Sequence, residues 1–176
     1  MRSSLSVSRP SSVAEAVDGT ALRLAAAVAV LVLVLDQLTK WLILEVVMQP
    51  PRVIEVTGFL NLVLVKNPGI SFGLLGGEAA WKAWLLSALA IGIVVGLAMW
   101  LRRRGGRMPA LMVGLIGGGA LGNVIDRLRF GAVMDFIDVY AGSWHWPAFN
   151  VADSAITVGV AVLIVHGLFF DEQKSK

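Results

Sequence analysis

Gly117 to Ile156 reads GGGALGNVIDRLRFGAVMDFIDVYAGSWHWPAFNVADSAI, and this stretch decides the fold. It carries four carboxylates, Asp126, Asp135, Asp138 and Asp153, between segments apolar enough to live in lipid. An acid at the edge of a bilayer is costly unless something retains it, so the cluster is a candidate functional site.

The chain around it has 176 residues, 57% hydrophobic and 15% charged, with a mean hydropathy of +0.78. A soluble domain carries more charge, so the class is integral membrane protein. The net charge of +3 comes mostly from arginines near the N-terminus and from Arg102, Arg103, Arg104 and Arg107. They punctuate apolar segments instead of forming the basic, aromatic-bearing face that nucleic acid needs. No nucleic-acid partner is expected. The absence of cysteine excludes disulfides, thiolate metal sites and a cysteine nucleophile. His145 and His166 stand far apart without metal-ligand spacing, so neither a metal nor a cofactor is expected.

Outward from the acidic stretch, the pattern predicts an all-α membrane protein with a small β element. Four transmembrane helices are expected over about 21–47, 81–100, 110–125 and 154–170, within a single embedded domain. Residues 1–20 are Ser-rich and polar, and read as disordered; 171–176 form a polar tail. Ala25 to Leu35 has the look of a signal-peptide core, but DQLTK follows with no small-x-small site, so a retained helix is expected. Pro50 and Pro51 end it. VIEV and LNLVLV, split by Thr57-Gly58, read as strands of a small sheet outside the membrane, about 52–77. The third helix holds Gly114, Gly117, Gly118, Gly119 and Gly122, which suits close helix packing. Phe130 to Phe149, semi-apolar and aromatic, reads as a segment lying at the interface.

Arg102 to Arg107 lie between helices two and three, which makes that loop cytoplasmic. Four crossings then place both termini in the cytoplasm. The strand region and the acidic cluster share the opposite face.

Asp135 and Asp153 are the preferred chemical pair. Two facing carboxylates near a low-dielectric region share one proton. Such a pair can deprotonate a water and protonate a leaving amine. Blander readings stand beside this one. Asp153 precedes an apolar run and serves equally as an N-cap. Asp135 and Asp138 also read as solvated loop acids. Asp126 is expected to be a structural partner of Arg127. Asp36, with Gln37 and Lys40 at helical spacing, suits a supporting role. A proton-coupled transporter is the rival class, against which no internal repeat is visible.

Five blocks, taken together, resemble a known family: DQLTK (Asp36–Lys40), KNPGISFG (Lys66–Gly73), GGALGNVIDR (Gly118–Arg127), VMDFID (Val133–Asp138) and FNVADSAI (Phe149–Ile156). They are similar to the motifs of the bacterial lipoprotein signal peptidases, or signal peptidase II. The resemblance implies an aspartic endopeptidase of the inner membrane. It would remove signal peptides from diacylglyceryl-modified prolipoproteins, cleaving before the lipidated cysteine. It implies Asp135 and Asp153 as the catalytic pair, supported by Asn67, Asn123, Arg127, Asn150, Asp36 and Lys40. It also implies a four-helix bundle with an extracytoplasmic β-cradle and an interfacial segment, a site near the periplasmic face, contact with membrane lipids, a monomer, and inhibition by globomycin-type compounds. Asp138 is left without a role.

Overall fold

The computed structural model describes residues 19–69 and 80–170. The expectations for residues 1–18, 70–77 and 171–176 lie outside the described residues. Among the described residues, four helices are long and apolar enough to cross a membrane: α1 (Gly19–Leu42), α2 (Ala80–Arg104), α3 (Arg107–Phe130) and α4 (Val151–Phe170). Gly19 and Thr20, expected in the disordered leader, already belong to α1. A π turn, Ile43–Val47, extends α1 toward the prolines.

Helix α3 is longer than its glycines suggest. It runs on through Asp126 and Arg127 to Phe130, where Gly131 at φ 72° stops it and donates its N–H to Arg127 O. The helix is central and packs on each of the other three. A Cβ on Gly118 would stand 2.5 Å from Ala29 O, and one on Gly119 would meet Ala152 O. The small residues therefore let α1 and α4 approach α3 backbone to backbone, as dispersion-driven packing in lipid requires.

Outside the bundle lies one antiparallel sheet in the order β1-β2-β3-β4. Its strands are β1 (Ile54–Thr57), β2 (Leu60–Asn67), β3 (Val133–Ala141) and β4 (Trp144–His145). The first two are the runs expected from sequence. The last two fall within 130–149, the stretch expected as an interfacial segment, and make part of it the second half of the same sheet. Val133 pairs with Asn67 and Val139 with Leu60, with one irregularity between Leu62 and Val65. Val133 to Phe136 are all buried, so β3 lacks the apolar-polar alternation that marks a half-exposed strand. Ile43, Met48 and Phe136 form the core joining sheet to bundle, with Leu62, Leu64 and Val151 packed around it. The sheet thus draws the two connections, α1 to α2 and α3 to α4, to one end of the bundle.

Candidate active site

The site forms where the end of α3, the start of α4 and strands β2 and β3 converge. Asn150 is fully buried and caps α4. Its Oδ1 accepts the Asp153 N–H at 2.9 Å, and its own N–H faces Asp153 Oδ2 at 3.3 Å. This is a capping box with Asn at the cap and an acid three residues on. The N-cap reading of Asp153 is corrected accordingly: the cap is Asn150, and Asp153 is the reciprocal acceptor in the first turn.

Asn150 Nδ2 also donates to Asp135 Oδ1 at 2.7 Å. Asn67 Nδ2, on β2, donates to Asp135 Oδ2 at 2.9 Å. The Asn67 amide is aimed by Gly69, whose N–H donates to Asn67 Oδ1. Asn123 Nδ2, on α3, donates to Asp153 Oδ1 at 2.8 Å. Each carboxylate therefore receives an amide from two directions, and Asn150 touches both. Asp135 is 1% exposed. Burial pushes its carboxyl up to about 6, helped by the Asp153 charge, while Asn67, Asn150 and Lys40 pull the other way.

Beneath the pair lies a buried charge network. Lys40 Nζ is 2.8 Å from Asp36 Oδ2, 2.7 Å from Asp126 Oδ2 and 3.2 Å from Asn123 Oδ1. Gln37 Nε2 donates to Asp126 Oδ1 at 3.0 Å. Asp36 Oδ1 accepts the N–H of Ala152, and Asp126 Oδ2 accepts that of Met134. The two acids thus pin α4 and β3 to the bundle. The expected pairing of Asp126 with Arg127 is replaced by Asp126 with Lys40, because α3 continues as helix and its successive residues point apart. The Arg127 guanidinium interacts electrostatically with Asp153, Asp126 and Asp135. Its buried Nε has no hydrogen-bond partner among the described residues.

The structure brings together Asp135, Asp153, Asn67, Asn123, Arg127, Asn150, Asp36 and Lys40. Sequence reasoning missed Asn61, which donates to Asp138. Its one signal was a lone amide in the aliphatic run LNLVLV. Among the described residues, no three acidic or histidine side chains converge as a metal-ligand group.

The arrangement is an amide-held carboxylate pair, Asp135 buried and Asp153 half-buried, at one end of a membrane bundle. A family model described as signal peptidase (SPase) II matches residues 28–169. Lipoprotein signal peptidases of Burkholderia thailandensis and Burkholderia vietnamiensis are 46% and 48% identical, each over 142 residues, covering 80% of this chain and 85% of theirs. A bacterial membrane enzyme solved by the in meso method at 2.3 Å resolution superposes with a TM-score of 0.71 at 32% identity, over 90% of this chain and 93% of that one. With the match spanning all four helices and the sheet, the chain belongs to the signal peptidase II family.

Proposed function

We propose that this chain is the membrane endopeptidase that removes signal peptides from diacylglyceryl-modified prolipoproteins, with Asp135 and Asp153 as its water-activating pair. The observation that carries the pair is Asn150, which holds both carboxylates with one side chain and one backbone N–H.

Asp135, with its carboxyl pushed up to about 6, enters as the acid. Asp153 enters as the carboxylate. A water between them loses a proton to Asp153 as its oxygen attacks the scissile carbonyl. Asp135 gives its proton to the carbonyl oxygen. Collapse of the tetrahedral species breaks the C–N bond: one hydroxyl returns its proton to Asp135, and the proton on Asp153 passes to the leaving amine. The products are a signal-peptide carboxylic acid and the free amine of the lipidated cysteine. The Arg127 Nε supplies a donor for a substrate backbone carbonyl. Asn123 and Asn67 keep the carboxylates in place.

The arginines that end α2 (Arg102, Arg103, Arg104) and begin α3 (Arg107) set the orientation: both termini cytoplasmic, the sheet and the carboxylates on the periplasmic side. The signal helix enters sideways, and the diacylglyceryl chains stay in lipid. The enzyme acts as a monomer and is blocked by globomycin-type inhibitors.

The test is processing of a lipidated prolipoprotein by Asp135→Asn and Asp153→Asn. Each variant should fold and lose nearly all turnover. Normal processing by either one would falsify the assignment.

A further inference from the structure

Asp138 follows Asp135 on β3 and takes no part in the chemistry above. The residue is nevertheless buried, 7% exposed, with its side chain 10% exposed. Such a group persists only where it is paired and hydrogen-bonded. Asn61 Nδ2 donates to Oδ2 at 2.9 Å, and His145 Nδ1 lies 2.9 and 3.0 Å from Oδ1 and Oδ2. His145, then Asn61, hold this carboxyl below its usual range. The carboxylate is thus the acceptor, and Nδ1 carries the proton in either charge state of the ring. The imidazole stacks on Tyr140 with centroids 5.2 Å apart. The Tyr140 hydroxyl donates to Thr57 O at 3.1 Å and lies 3.3 Å from Glu55 Oε1. Groups from all four strands therefore form one clasp across the outer end of the sheet.

The clasp stands at one end of the connection that delivers Asn150. Strand β4 has only two residues, paired Tyr140 to His145 and Ala141 to Trp144. So short a ladder is marginal by itself. Beyond it, Trp146 N–H donates to Val139 O, and Phe149 exchanges hydrogen bonds with Ile137 and accepts one from the Phe136 N–H. Asn150 is the next residue. The side-chain clasp and the Phe149 bridge fix the two ends of this short path.

We propose that the Asp138–His145 pair is a positioning device for Asn150. It holds the β3–β4 turn and the 146–149 connection, and so sets how the Asn150 amide meets Asp135 and Asp153. This rests on the reading of those two aspartates as the reacting pair. His145, half exposed at the outer end of the sheet, is then a positioning residue that touches neither substrate nor the attacking water.

The experiment compares His145→Ala, His145→Asn and Asp138→Ala in purified enzyme with a lipidated prolipoprotein, measuring kcat across pH. Asn places an amide N–H close to where Nδ1–H stood. His145→Ala should lower kcat on the order of tenfold, as small misplacements of a positioned group do. It should also move the alkaline limb of the pH profile upward, because a slackened Asn150 no longer favours the ionised Asp135. Asp153, Lys40 and Arg127, which also act on Asp135, are unchanged in these variants. Asp138→Ala should reproduce both effects, and His145→Asn should restore both. A smaller folded fraction lowers apparent kcat but leaves the limb in place. A kcat loss with an unmoved limb and no rescue by Asn therefore overturns the proposal. So does loss of the limb in His145→Asn, which would make the imidazole itself the titrating group. Asp135→Asn and Asp153→Asn are run alongside. If both are inactive while His145→Ala is normal, this inference alone falls; if either turns over normally, the dyad reading falls first and this one with it.

Discussion

Asn150 donates to Asp135 across 2.7 Å while its Oδ1 caps the helix that carries Asp153. One residue thus has a helix-capping role and a role at the carboxylates, and substitution can separate them. Serine is as good an N-cap as asparagine but is too short to reach Asp135. Asn150→Ser should keep the thermal midpoint near that of the parent and lose on the order of 100-fold in kcat, the scale of a misplaced group. Asn150→Ala should lose the cap as well, about 1 kcal/mol of stability. Melting and turnover measured on the same preparations decide it; equal stability loss in both variants would contradict the split.

The raised carboxyl of Asp135 makes pH the next test. The mechanism needs it protonated, so turnover should fall as pH rises through about 6. The apparent value belongs to the coupled pair. Asn67→Ala removes an amide that favours the ionised form, so its limb should lie at higher pH. Stability carries the same sign. A carboxyl raised in the native state contributes fully below the ordinary carboxylate range, and that contribution is lost as pH climbs from about 4 to about 6. Asp135→Asn escapes the loss. It should be inactive yet melt a few degrees above the parent at neutral pH, and show no such advantage in acid.

Much of this site was legible in the sequence, and the failures have physical causes. Asp36 and Lys40 were readable because an i,i+4 pair on an apolar helix has one geometry. The four spans followed from hydropathy, and β1 and β2 from β-branched runs about a turn. Strand β3 was hidden because both of its faces are covered near Asp135. The last turn of α3 was hidden because the charged Asp126 and Arg127 end the apolar run that set its expected limit at 125. Asp126 is in fact 1% exposed, held by a lysine on another helix. Local sequence cannot name such a partner. The cap of α4 was misplaced by three residues, since Asn150 and Asp153 both have the chemistry of a cap and only backbone geometry tells them apart.

The buried network under the pair predicts non-additive behaviour. Lys40 serves both Asp36 and Asp126. Lys40→Met leaves two carboxylates buried without their cation, which costs about 3–5 kcal/mol when one partner of a buried pair is removed. The variant should be recovered poorly and melt far below the parent. Adding Asp126→Asn removes one of the stranded charges while keeping an acceptor for the Met134 N–H. The double variant should therefore be more stable than Lys40→Met alone, a coupling of the size seen between contacting groups. Simple addition of the two single effects, read from thermal midpoints, would contradict the network.

Packing of α3 against α4 gives a sharper contrast between neighbouring glycines. A methyl on Gly119 would run into Ala152 O and stand 2.8 Å from the Ile156 side chain. Ala152 O is backbone and cannot rotate away, so the first turn of α4, which carries Asp153, must shift. Gly119→Ala should cost about 1–3 kcal/mol by overpacking, and should lose on the order of tenfold or more in turnover as Asp153 moves off Asn123. Among the described residues, a methyl on Gly117 would find only Val94, at 3.8 Å. That is ordinary contact, and alanine favours the helix by up to about 1 kcal/mol over glycine. Gly117→Ala should be fully active and at least as stable as the parent. The two substitutions are chemically identical and two residues apart, so composition cannot account for a difference between them. Equal behaviour of the pair in melting and processing assays would show that α4 does not rest on α3 as described.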